Sequence, residues 1–239
     1  NEYHTAPQPT ITAPADADSI ISVGAMNITG AVAGFSSNGP TSDGRMKPDV
    51  CAHGVGTYWA IPVSGTSTVY YSGSSQGTSL ATPLVAGAAA MVLAAHPELT
   101  PIQVRDALRN TANNALTPDS LRGWGAINAY KAVLYNGLVI STDPIITRTP
   151  DSNYSVEMCV VSTSVVKKDS VRLYYSVNDG ATFTALPMSL SAVIDSATNS
   201  GTYSAVIPQS ASTPRFYVRA VDAAAKPRTS PFAAPSELY

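Results

Sequence analysis

The residue best placed to do chemistry is Ser79, in Gly77-Thr78-Ser79-Leu80-Ala81-Thr82-Pro83. There the Gly/Ser-rich stretch Ser72 to Gly77 gives way to an apolar run, Thr78 to Ala95, that reads as a helix. A serine in the first turn of a helix feels the positive end of the helix dipole. The free amide N–H groups around it can hold a developing oxyanion. Gly77 lets a substrate backbone approach closely, and the small residues Ala81 and Ala86 to Ala90 allow tight packing behind the serine. The chemistry that fits is acyl transfer through a serine nucleophile. Taken alone, Gly-Thr-Ser favours a plainer reading, with Thr78 as helix cap and Ser79 as first-turn filler.

A serine nucleophile needs a base, and the chain offers only three histidines, His4, His53 and His96. His96 precedes Pro97 at the end of the apolar run, where a solvated helix cap is expected. His53 lies in a turn after an apolar strand, and His4 stands close to Asn1. Each of the three is expected to be structural or solvent-facing and not a catalytic base. Asp49 begins an expected strand and Asp43 sits in a turn.

The surroundings of Ser79 reverse the plainer reading. Phe35-Ser36-Ser37-Asn38-Gly39-Pro40-Thr41, continuing through Asp43-Gly44-Arg45 and Lys47-Pro48-Asp49-Val50, resembles a stretch of the subtilisin-like serine peptidases, the subtilases. Gly77 to Pro83 resembles their nucleophile motif, with Leu80 where Met is usual. Ile20-Ile21-Ser22-Val23-Gly24-Ala25 is similar to the strand after their oxyanion loop, and Gly123-Trp124-Gly125 with Ile127-Asn128-Ala129 to the end of their catalytic domain. These segments come in the family's order. The resemblance implies that Ser79 is the nucleophile, that its backbone N–H donates to the oxyanion and that the Thr78 hydroxyl supports the site. It also implies that Asn1, followed by Glu2, supplies the oxyanion-hole amide. Pro14 aligns with a proline often cis in the family, and Ala52-His53-Gly54 departs from the family's Ala-Pro-Gly. The family's Asp-(Thr/Ser)-Gly and His-Gly-Thr-His motifs are absent, so the general base and its carboxylate are expected upstream of Asn1. The chain alone is then expected to be inactive.

The elements that must position Ser79 follow from the pattern. Up to residue 137 apolar strands alternate with helices, the signature of α/β layering. Strands are expected at Ser19 to Val23, Val32 to Phe35 and Asp49 to Ala52. The helix at Thr78 to Ala95, apolar or small nearly all round, is expected at the centre of the domain. Further helices are expected from Thr100-Pro101 to Thr111 and at Asn128 to Leu134. By resemblance this part is the C-terminal portion of a subtilase catalytic domain, a mostly parallel sheet with helices on both faces. Cutting such a sheet exposes apolar surface, so the N-terminal half of the domain or a second copy is an expected partner. Residues 138–239 show short strands without helices, including Val171 to Val177 before an Asn178-Asp179-Gly180 turn, Thr202 to Ile207 and Arg215 to Val221. That pattern predicts a β-sandwich, similar to the Ig-like or fibronectin-III-like modules of secreted bacterial peptidases. Tyr174 and Tyr217 are read first as cross-strand pairs, and otherwise as a glycan or protein contact.

Composition bounds the rest. With 44% hydrophobic and 13% charged residues the chain can bury cores, and its formal charge of −2 without basic clusters gives no footprint for nucleic acid. The low charge leans towards a secreted or cell-surface setting. No apolar run is read as long enough to span a bilayer. Cys51 and Cys159 fall in different domains and are read as unbridged. No cofactor is expected. Structural calcium is common in the family, but no carboxylate cluster marks a site. The reading is a subtilisin-type endopeptidase acting on peptides or proteins. The alternative is a catalytically inactive relative whose β-sandwich binds glycans or cell-surface proteins.

Overall fold

The computed structural model describes residues 9–58 and 75–239, so Asn1 and His4 lie outside the described residues. The chain divides into two compact units, Asn1–Ala94 with Glu98–Val133, and Ala95–Pro97 with Leu134–Tyr239.

In the first unit β1 (Val23–Met26) and β2 (Val50–His53) pair in parallel, Val23 opposite Val50 and Met26 opposite His53. The backbone at Trp124–Ile127 runs beside β2: Trp124 N–H donates to Asp49 O (3.0 Å), Cys51 N–H to Gly125 O (2.8 Å) and Ile127 N–H to Cys51 O (3.1 Å). Gly125 is required there. Its φ is +94°, and a Cβ would collide with Asn113 Oδ1 and Asn114. A short antiparallel pair, β3 (Val55–Thr57) with β4 (Ser75–Gln76), leads into α1 (Thr78–Ala95). α2 (Pro101–Asn110) starts with a capping box, Thr100 and Gln103 exchanging hydrogen bonds, and Pro101 in its first turn. α3 (Ala129–Leu134) closes the unit.

Several expectations shift. The first strand starts at Val23, where the Ser19–Val23 run ends, because the Ser22 backbone is used by Asp49. Val32 to Phe35 forms only a bridge, Met26 to Val32, within a turn-rich loop. The larger correction concerns α1, which is not buried all round. Ala81, Val85, Ala88 and Val92 are buried, a stripe at helical spacing. Leu84 is 48% exposed and Met91 55%, because no described residue of the chain covers the opposite face. At 18 residues α1 also has the length and apolar composition of a membrane-crossing helix. Core helices share that property, and α1 buries one stripe in its own unit.

The second unit holds antiparallel strands. One sheet contains β5 (Val139–Ile140), β6 (Ile145–Arg148), β7 (Tyr154–Val161), β10 (Ser189–Asp195) and β11 (Ser200–Ile207), with β11 between β10 and β7. The other orders β13 (Pro227–Ser230), β12 (Arg215–Val221), β8 (Arg172–Ser176) and β9 (Thr184–Pro187). Alternating residues of both, among them Val156, Met158 and Tyr203 from the first and Leu173, Phe216 and Val218 from the second, share one core. The β8–β9 connection is longer than a two-residue hairpin. Asp179 (φ 58°) and Gly180 (φ 88°) sit inside a loop over residues 177–183. Tyr174 and Tyr217 are direct cross-strand partners with stacked rings 4.8 Å apart, and Phe183 packs edge-on against Tyr217.

Candidate active site

Ser79 lies in the first turn of α1 and is exposed, with Thr78 before it half-buried. Its N–H is among the first four of the helix, which have no intrahelical acceptor. Three backbone links fix where this turn sits. Gly54 N–H donates to Met26 O (2.9 Å), Gly77 N–H donates to Gly54 O (2.8 Å), and Leu80 N–H donates to Gly77 O (3.1 Å). The serine turn is thus tied to the carboxyl ends of β1 and β2, the rim where open α/β sheets place ligands. Gly77 has φ +154°, a conformation that disfavours any residue with a Cβ. The Thr82 hydroxyl donates to Thr78 O (2.9 Å), which secures the first turn.

The other candidates are dispersed. Asn1 lies outside the described residues, so nothing places it beside Ser79. His53 ends β2 and is half-buried. His96 follows the far end of α1, about 24 Å of helix from Ser79. It is buried, 1% exposed, and is not the solvated cap expected from the sequence, because burial is set by tertiary packing that a helix end does not reveal. Ala13–Pro14 is cis. Among the described residues no group of three His, Cys, Asp or Glu side chains could hold a metal ion.

What the sequence signalled only as a motif is the role of Lys47-Pro48-Asp49. Asp49 is fully buried at the amino end of β2. Its Oδ2 accepts from Ser22 N (2.6 Å), Ser22 Oγ (2.9 Å) and Lys47 Nζ (2.8 Å), and its Oδ1 accepts from Arg109 of α2. Lys47, also buried, donates a second bond to Ile20 O (3.2 Å). The Arg109 guanidinium lies 4.1 Å from the centroid of the Trp124 ring. This network joins the amino ends of β1 and β2 to α2 and the Trp124 segment. The loop before it is closed by Thr41 and Asp43, whose carboxylate grips Arg45 Nε at 2.8 and 3.0 Å. The Arg45 side chain, then the Thr41 hydroxyl, holds the Asp43 carboxyl down at about 2. Burial pushes the Cys51 thiol up to about 12, and both cysteines are free.

The sequence profile described as the Subtilase family matches residues 1–125, more than half of the chain. The chain belongs to the subtilase family. It is 41% identical over 132 residues to "Subtilisin amylosacchariticus" of Bacillus subtilis subsp. amylosacchariticus, covering 55% of this chain and 31% of that protein. It is 37% identical over 142 residues to "Serine protease AprX" of Bacillus subtilis (strain 168), covering 52% and 32%. It is 37% identical over 115 residues to "Minor extracellular protease Vpr" of the same organism, covering 45% and 14%. The subtilase chain thus spans at most about a third of the length of these relatives. Its matched region carries both the serine turn and the Asp49 network.

Proposed function

We propose that residues 1–137 are the C-terminal part of a subtilisin-type endopeptidase domain with Ser79 as nucleophile, and that residues 138–239 are an Ig-like module. The observation that carries this is an exposed serine at a helix N-terminus, held at the carboxyl rim of a parallel strand pair, inside the region that matches the subtilases. In the proposed reaction Ser79 Oγ attacks the scissile carbonyl while its proton passes to a histidine outside residues 1–239. The tetrahedral oxyanion takes hydrogen bonds from Ser79 N–H and the Asn1 side-chain amide, and the Thr78 hydroxyl supports the site. The histidine then protonates the leaving amine, and water hydrolyses the acyl-enzyme. Peptides or proteins are the substrates, and the setting is secreted or cell-surface. The low charged fraction and the extracellular naming of one relative support that setting. The α1 face left uncovered by the described residues, with Leu84 and Met91, is assigned to the N-terminal half of the same domain or to self-association.

Labelling with a fluorophosphonate tests the assignment. The 239-residue chain is expected to label no more than its Ser79→Ala variant. A longer product of the same gene that includes the missing motifs is expected to label at Ser79. Labelling of the longer product that survives Ser79→Ala would overturn the assignment of the nucleophile. Strong Ser79 labelling of the short chain would overturn the missing base.

A further inference from the structure

We infer that the cavity beside the Asp49 network, at the amino ends of β1 and β2, binds a small tetrahedral oxyanion of the phosphate or sulfate type. The cavity measures about 190 Å³ and is lined by Arg45, Lys47, Arg105, Arg109, Asp18 and Trp124. It lies at the end of the strand pair opposite the serine turn. Asp49 and Ser22 precede β2 and β1, whereas Gly54 and Gly77 meet beyond their carboxyl ends. A four-residue strand separates the two rims by about 13 Å.

Three guanidinium nitrogens around this one cavity are buried and have no hydrogen-bond acceptor among the described residues: Arg45 Nη1, Arg105 Nε and Arg109 Nε. The carboxylates nearest the first two stand back, Asp18 at 3.8 Å from Arg45 Nη1 and Asp106 at 3.6 Å from Arg105 Nε. Other bonds hold each arginine in place while leaving those nitrogens unused. Arg45 Nε is gripped by Asp43, Arg105 Nη1 donates to Asp18 O (3.0 Å), and Arg109 Nη2 donates to Asp49. Trp124 under Arg109 further limits its motion.

Buried N–H donors on fixed guanidinium planes match the oxygen array of a phosphate or sulfate, and a buried donor left without a partner is costly. Asp18, Asp43, Asp49 and Asp106 formally balance the four cations, so recognition rests on the unpaired donors and not on surplus charge. Modest affinity and marked salt dependence follow.

Phosphate is titrated into the 239-residue chain at fixed ionic strength, with sodium chloride making up the balance. Calorimetry and Trp124 fluorescence in a Trp59→Phe background follow binding. The expected result is a saturable response to phosphate and to sulfate that chloride does not give. Arg105→Gln is expected to weaken it about tenfold or more, the loss of one charge-assisted bond. Arg45→Gln provides the same test at a more exposed position if the first variant does not fold. A response linear in phosphate, or one that both variants leave unchanged, overturns the site.

Discussion

Asp49→Ala is the perturbation that most directly tests how the first unit is held together. The substitution removes a carboxylate that accepts from Ser22 N, Ser22 Oγ, Lys47 and Arg109. The side chain of Lys47 is 2% exposed and that of Asp49 0%, so the ammonium is stranded away from water when its partner is lost. Breaking a buried pair in this way costs about 3–5 kcal/mol, more than the Coulomb attraction of the pair adds on its own. For a unit of this size the loss appears as a fall in Tm of about 10–20 °C. Urea unfolding followed by Trp124 fluorescence measures it, since that ring lies under Arg109 in the same network. The stranded-charge reasoning makes a sharper claim: adding Lys47→Met to Asp49→Ala should restore stability by about 1–3 kcal/mol. A loss below about 1 kcal/mol for Asp49→Ala, the range typical of solvent-exposed ion pairs, would refute the reasoning. So would further destabilisation by Lys47→Met in that background.

Two other outcomes follow from the same unit. Cys51, with its thiol pushed to about 12 by burial, is expected to react with a thiol-directed disulfide reagent at pH 8 about a thousandfold more slowly than in urea. Because the folded value is raised, its contribution to stability is complete below the unfolded value and declines as pH rises towards about 12, a loss that Cys51→Ser should abolish. Gly125→Ala must place a Cβ against Asn113 and Asn114 at φ +94°. It is expected to cost at least about 1–3 kcal/mol in urea unfolding, and a neutral result would show that the Trp124–Ile127 segment can shift.

Much of the fold is legible in the sequence where the determinants are local. Thr100-Pro101 with Gln103 specifies the start of α2, because a cap and a first-turn proline act within one turn. The alternation in Thr202 to Ile207 and Arg215 to Val221 marks strands whose inward residues reach one core. Val32 to Phe35 was misleading, since an apolar run names a strand only if a partner lies beside it. His96-Pro97 reads as an exposed cap, because a helix end by itself does not show what packs over it.

The serine turn divides in the same way. Short-range propensity and motif order are properties of the linear chain, and they specify that Ser79 starts a helix, that Gly77 precedes it and that the surrounding segments match the subtilases. The attachment of this turn to the carboxyl rim of β1 and β2 through Gly54 emerges only on folding. Folding also brings Asp49, Lys47 and Arg109 into one buried network, and the described residues leave one face of α1 uncovered. Those features depend on contacts between residues up to 60 positions apart, such as Asp49 and Arg109. The burial that makes such contacts strong is a property of the packed chain and of no segment of it.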